Sequence, residues 1–248
     1  MEEPEEHGTE DDGAEEEAED GAGRRWTKNL GVLDLTRMRS REDAGRLRLK
    51  NIGLVLVPQD IPDLLAGAQC RNLGAVVPIA PGTRIENRTG QMEVPGESLA
   101  AGDPDTILAM TGQIVITPPV RSVGYRGLVL VGQIFLPRSG QAALSGRTLH
   151  IGGQLFPYDD DARPRLFIGA TRLTKAFFEQ CEEPMTLVVI GASLFTADIT
   201  PELLRKAVRS AMLIGAAAVE DAALAPVLQH LARTQIGANI QVVGERRD

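Results

Sequence analysis

Short runs of Val, Ile, Leu and Ala recur about every twenty residues along this chain, and each run meets a glycine. The clearest copies read Asn29-Leu30-Gly31, Asn51-Ile52-Gly53 and Asn72-Leu73-Gly74, then Gly90-Gln91-Met92, Gly112-Gln113-Ile114, Gly132-Gln133-Ile134 and Gly153-Gln154-Leu155. Later copies are Ile168-Gly169-Ala170, Ile190-Gly191-Ala192, Ile214-Gly215-Ala216 and Ile236-Gly237-Ala238. A repeat of this period marks a solenoid, whose units stack and bury a shared core. From Gly90 onward the glycines lie 22, 20, 21, 16, 22, 24 and 22 residues apart. A full βαβ unit needs about 30 residues. Each coil therefore has room for a strand and one or two helical turns. The pattern predicts an α/β solenoid of parallel β-strand ladders, about eleven coils long, with short helices in the later coils. At about 4.8 Å per strand, one continuous ladder would make a rod of roughly 50 Å.

Within a unit, an apolar strand such as Ile52 to Val57 or Leu128 to Val131 comes first. The glycine accepts a bend or a close backbone approach. In the middle units a second short strand follows and meets Pro95, Pro118, Pro137 or Pro157, which cannot donate to a ladder and so ends it. Helix-compatible pieces lie at Ile61–Leu65, Gln141–Leu144, Lys175–Phe178, Thr200–Val208 and Asp221–Leu231. Thr200 reads as an N-cap with Pro201 at the first helical position, whereas Pro226 stands against a continuous last helix. The repeat is graded into an Asn-x-Gly zone, a Gly-Gln zone ending at proline, and an Ile-Gly-Ala zone.

Stacking places Gln91, Gln113, Gln133 and Gln154 in equivalent positions, where their amides can bond coil to coil. Asn29, Asn51 and Asn72 can do the same. The alternative is a polar row that binds a repetitive ligand such as a glycan.

Composition refines this outline. Aromatic residues are only 4% of the chain, which suits thin, regularly stacked layers. No apolar stretch reaches the length that spans a bilayer. With no secretory leader at the N-terminus, Cys70 and Cys181 read as buried thiols of a cytoplasmic protein. Residues 1–23 hold twelve acids and no Lys or Arg, too little apolar surface to order, and read as a disordered acidic tail. Residues 24–50 read as a basic linker and first coil, and residues 51–248 as the solenoid domain. The basic stretch carries Arg24, Arg25, Lys28, Arg37, Arg39 and Arg41, the candidate partner-binding residues. They could meet phosphates or the acidic tails of neighbouring subunits. Nucleic acid is disfavoured by the acidic neighbour and by Trp26 being the lone aromatic there.

Candidate chemistry is sparse. His7, His150 and His230 have no ligand-spaced partners, and Asp159-Asp160-Asp161 reads as a solvated loop more than a Ca²⁺ site. No nucleophile elbow or phosphate-binding glycine loop occurs. No catalytic, cofactor-binding or metal residue is expected.

Asp198 to Gly215, with Leu203, Leu204 and Val208 ahead of Met212-Leu213-Ile214, is similar to a leucine-rich repeat. Gly90 to Pro157 resembles a bactofilin-type β-helix, and that resemblance implies a bacterial cytoskeletal polymer. Together these readings favour a non-enzymatic scaffold that self-associates or docks protein partners. A protein- or glycan-binding module stands second, and a polysaccharide-active β-helix enzyme last.

Overall fold

The computed structural model describes residues 26–237 and 239–243. The acidic segment 1–23, and Arg24 and Arg25, lie outside the described residues. Twelve strands carry the fold: β1 (Thr27–Asp34), β2 (Arg48–Pro58), β3 (Gln69–Ile79), β4 (Arg84–Pro95), β5 (Thr106–Thr117), β6 (Gly127–Pro137), β7 (Thr148–Tyr158), β8 (Arg163–Leu173), β9 (Met185–Phe195), β10 (Val208–Val219), β11 (Ala232–Ile236) and β12 (Ile240–Val242). Ten of the eleven repeat glycines lie inside β1 to β10, and Gly237 separates β11 from β12. The apolar run before each glycine and the short segment after it are thus one long strand with the glycine near its middle.

All strand pairs are parallel, but they do not form one ladder of eleven coils. They form three: sheet A (β1-β2-β3), sheet B (β4-β5-β6-β7) and sheet C (β8-β9-β10-β11, with β12 also on β10). Each sequence zone is one sheet. The breaks have a physical cause. Parallel neighbours need a crossover of about a dozen residues. The segments joining strands within a sheet are of that order, but residues 80–83 and 159–162 are far shorter. They can only start a new sheet. The glycine intervals record both breaks: Gly74 to Gly90 and Gly153 to Gly169 are the two short steps, 16 residues each.

Short α-helices lie in six of the eight crossovers within sheets: α1 (Arg41–Gly45), α2 (Gly96–Ala100), α3 (Gln141–Ser145), α4 (Lys175–Glu179), α5 (Pro201–Ala207) and α6 (Leu224–Leu231). They begin in the first crossover rather than in the later coils. The Thr200 hydroxyl accepts from Leu203 N–H and Pro201 opens α5. Because α6 starts at Leu224, Pro226 falls in its first turn, where its missing N–H is no loss. Ile61–Leu65 forms turns, not a helix.

Each sheet packs one face on its own connectors, giving three cores around Leu49 and Val55, Leu108 and Ile134, and Leu187 and Leu213. The other faces pack on one another. Leu54, Leu56, Val77 and Ile79, after the sheet A glycines, meet Ile107, Ala109 and Val129, before the sheet B glycines. Val115, Phe135 and Phe156, after the sheet B glycines, meet Val188 and Met212, before those of sheet C. Sheets A and C therefore share one face of sheet B, each covering half.

The three ladders run the same way. At one end β1 lies beside β4 and β5, and Arg163 of β8 reaches Glu93 of β4. At the other, β3 lies beside β7, and Arg209 of β10 reaches Asp161 just past β7. The near end is β1, β4 and β8. The far end is β3, β7 and β11 with β12. Cys70 is exposed and Cys181 half-buried, contrary to the expectation for both. Cys70 is in register with buried Leu49, but β3 is an edge strand, so the core column runs out beneath it.

Candidate interaction surfaces

The bend is built differently in sheet A and in the other two. In sheet A the left-handed residue is asparagine: φ is 60° at Asn29, 57° at Asn51 and 55° at Asn72. Asparagine tolerates this region better than other side-chain-bearing residues. Stacking then lines up the amides. Asn51 Nδ2 donates to Asn29 Oδ1 at 2.9 Å, and Asn72 Nδ2 to Asn51 Oδ1 at 3.0 Å. In sheets B and C the glycine itself has positive φ, 123° at both Gly112 and Gly132. Gln91, Gln113, Gln133 and Gln154 follow these glycines in register, with Gln113 Nε2 donating to Gln133 Oε1 at 3.3 Å.

One residue before each ladder asparagine stands a cation. Lys28, Lys50 and Arg71 are mutually in register and exposed, forming a basic row across sheet A. Like charges on adjacent strands repel, so the row favours an anionic counterpart. The Arg71 guanidinium lies 5.2 Å from the Trp26 ring centroid. The other described basic candidates, Arg37, Arg39 and Arg41, do not join this row. Arg39 donates to the Thr36 carbonyl at 2.8 Å, Arg41 pairs with Asp63 at 2.7 Å, and Arg37 is exposed in the same turn region. Lys50 and Arg71 could have been found by the cation-before-asparagine spacing.

The two ends differ chemically. Nine large apolar side chains are exposed among the described residues, and all sit on or beside terminal strands. Leu30 and Ile168 are at the near end. Val76, Leu149, Ile151, Leu155, Ile236, Val242 and Val243 are at the far end, with Leu149 the most exposed at 56%. The near end of sheet B is instead sealed by polar groups. Arg88 Nη2 lies 2.7 Å from Glu86 Oε1, and Tyr125 O–H donates to Glu86 Oε2 at 2.8 Å. Burial pushes the Glu86 carboxyl up, but the bonds from Arg88 and Tyr125 and the Arg88 charge outweigh it and hold it below its ordinary range. Arg84 pairs with Asp103 at 3.1 Å on the same edge. Columns that are Met110, Leu130 and Ile151 in later strands thus begin with Arg88.

Elsewhere the chemistry is modest. A cleft of about 440 Å³ is lined by Arg163, Arg165, Phe177, Cys181, Glu182 and Glu183. Burial pushes the Cys181 thiol up against the pull of Arg165, so it stays protonated, and it donates to the Phe177 carbonyl. Asp159 pairs with Arg138, Asp160 bonds Ser139 and Asp161 pairs with Arg209. No cluster of three His, Cys, Asp or Glu suited to a metal occurs among the described residues. No helix there is long and apolar enough to cross a membrane. Comparison with protein-family models, with curated proteins and with solved structures finds no match. The functional reading therefore rests on geometry.

Proposed function

We propose that this chain is a non-enzymatic scaffold that associates with itself through the ends of its sheets. What supports the reading is the placement of the exposed apolar side chains: all nine lie on terminal strands or, for Val243, next to one. Parallel ladders end in rows of unpaired N–H and C=O groups, which another strand can satisfy. Apolar core columns that break off at those edges add a hydrophobic drive of about 25 cal/mol per Å² buried. A module that binds its ligand on a sheet face would place its apolar and aromatic groups across the strands, not at their ends. Light scattering of the full chain over a wide concentration range tests the proposal. A mass above 26.6 kDa that rises with concentration is expected; a monomer throughout would overturn it.

The basic row supports a second role, docking of an acidic segment onto sheet A. Fluorescence of Trp26, the chain's one tryptophan, beside Arg71 would report it, and titration with poly-glutamate should shift the emission in a salt-sensitive way. An emission that does not move at low salt would remove this role.

A further inference from the structure

The far end has the features of a two-fold interface. We infer that two copies of this chain join far end to far end, with β7 pairing antiparallel to β7 of the second copy about Gly153. The inference rests on the self-association proposed above and fixes its geometry. Four observations carry it.

The first is the asymmetry of the ends. Seven of the nine exposed large apolar side chains are at the far end, whereas Glu86, Arg88 and Tyr125 close the near end of sheet B with charge. A head-to-tail stack would press Ile151 and Leu149 onto that charged cap, stripping water from the ion pair. Far end on far end brings apolar side chains to apolar side chains.

The second is the order of residues along β7. Antiparallel pairing about Gly153 sets Ile151 opposite Leu155 of the second copy, and Leu155 opposite its Ile151. Both lie on the connector-facing side of sheet B, in register with buried Leu130 and Ile134. The two interrupted cores would become one. The same pairing brings Arg147, which just precedes β7, near Asp160 and near Asp159, which just follows β7 and already holds Arg138. Arg147 is exposed and makes no ion pair with any described residue, so opposite charges meet at both margins of the contact.

The third is Pro157. Proline is tolerated in a strand where its missing N–H faces away from the ladder partner, and β7 is an edge strand. Pro157 shares its parity with Ile151, Gly153 and Leu155, the residues whose N–H and C=O groups the two-fold pairing uses.

The fourth is the count of strands. Sheet A has three strands and sheet B has four. A head-to-tail array would leave sheet A one strand short at every joint. The two-fold axis instead brings sheet A of one copy beside sheet C of the other, because A and C cover opposite halves of one face of B. Three strands of A and the four layers of C, in which β11 and β12 share the last layer on β10, then lie over eight strands of B. In that arrangement Val76 on β3 meets the strands bearing Ile236 and Val242.

The test is sedimentation velocity on the full chain and two single variants, Ile151→Lys at the far end and Ile168→Lys at the near end. Circular dichroism melting of all three checks folding. The wild type should reach twice 26.6 kDa and stop there. Ile151→Lys should raise the dimer dissociation constant about thirtyfold or more, and Ile168→Lys should leave it unchanged. Should Ile151→Lys fail to fold, Arg147→Glu, which is exposed, replaces it and should weaken the dimer about fivefold or more. Growth beyond the dimer, or loss of association in Ile168→Lys with Ile151→Lys intact, overturns the two-fold inference and leaves self-association standing. A monomer at all concentrations overturns both.

Discussion

Substituting a glycine in the middle of a column should cost more than substituting the first glycine of the same column, although both have the same backbone conformation. Gly132 has φ 123° and Gly90 has φ 114°, so alanine is strained at either, by about 1–3 kcal/mol. The surroundings differ. A Cβ on Gly132 would lie far inside contact distance of the Gly112 carbonyl oxygen and close to its C and N, 3.0 and 3.1 Å away. A Cβ on Gly90 meets nothing within 4 Å. The obstacle at Gly132 is main chain in the middle of a sheet, so β5 and β6 must separate to relieve it. Weakening two flanking ladder hydrogen bonds, at about 1 kcal/mol each, adds about 2 kcal/mol. Gly132→Ala should therefore lose about 4 kcal/mol and Gly90→Ala about 2. Urea unfolding followed by circular dichroism measures both, compared at constant m-value. If the two variants lose stability to within about half a kcal/mol of each other, the close approach between stacked glycines is not what selects glycine here, and the account of the column fails.

Asn51→Gly keeps the left-handed backbone but removes both ladder bonds, and should cost about 1 kcal/mol by urea unfolding; Asn51→Ala, which also strains φ, should cost about 2. Phe135 is fully buried and stacks on Phe156 at 5.0 Å where sheets B and C meet. Phe135→Ala should lose about 3–5 kcal/mol, and a loss under 1 would mean that this sheet contact contributes little. Glu86 has its carboxyl held below the ordinary range, so it favours the folded state above the ordinary carboxylate pKa. That stability is lost as pH falls through the lowered folded value. The urea midpoint should therefore drop on acidification below about pH 4 more in the wild type than in Glu86→Gln. Parallel curves would remove Glu86 from the acid response.

Much of the fold is legible in the chain, and the reason is locality. A glycine or asparagine that must take positive φ, a proline that must end a strand, and a Thr-Pro pair that opens α5 each act within a few residues. The eleven repeat positions therefore locate the strands, and the Asn-x-Gly, Gly-Gln and Ile-Gly-Ala zones already separate what become sheets A, B and C. The ladder side chains share columns because a strict in-register stack carries any repeated residue to the same place. The two 16-residue glycine steps also record where the ladder must break, because residues 80–83 and 159–162 are too short to return a strand beside its predecessor. What the repeat could not convey is how the three sheets pack on one another. Only the tertiary structure sets sheets A and C on one face of B. Only there does Cys70 fall on an edge, and only there do the apolar columns break off at Leu149, Ile151 and Leu155. Periodicity describes what every coil shares. The ends of a ladder are where that shared pattern stops, so their exposure, and the contact it invites, follows from the assembled sheets.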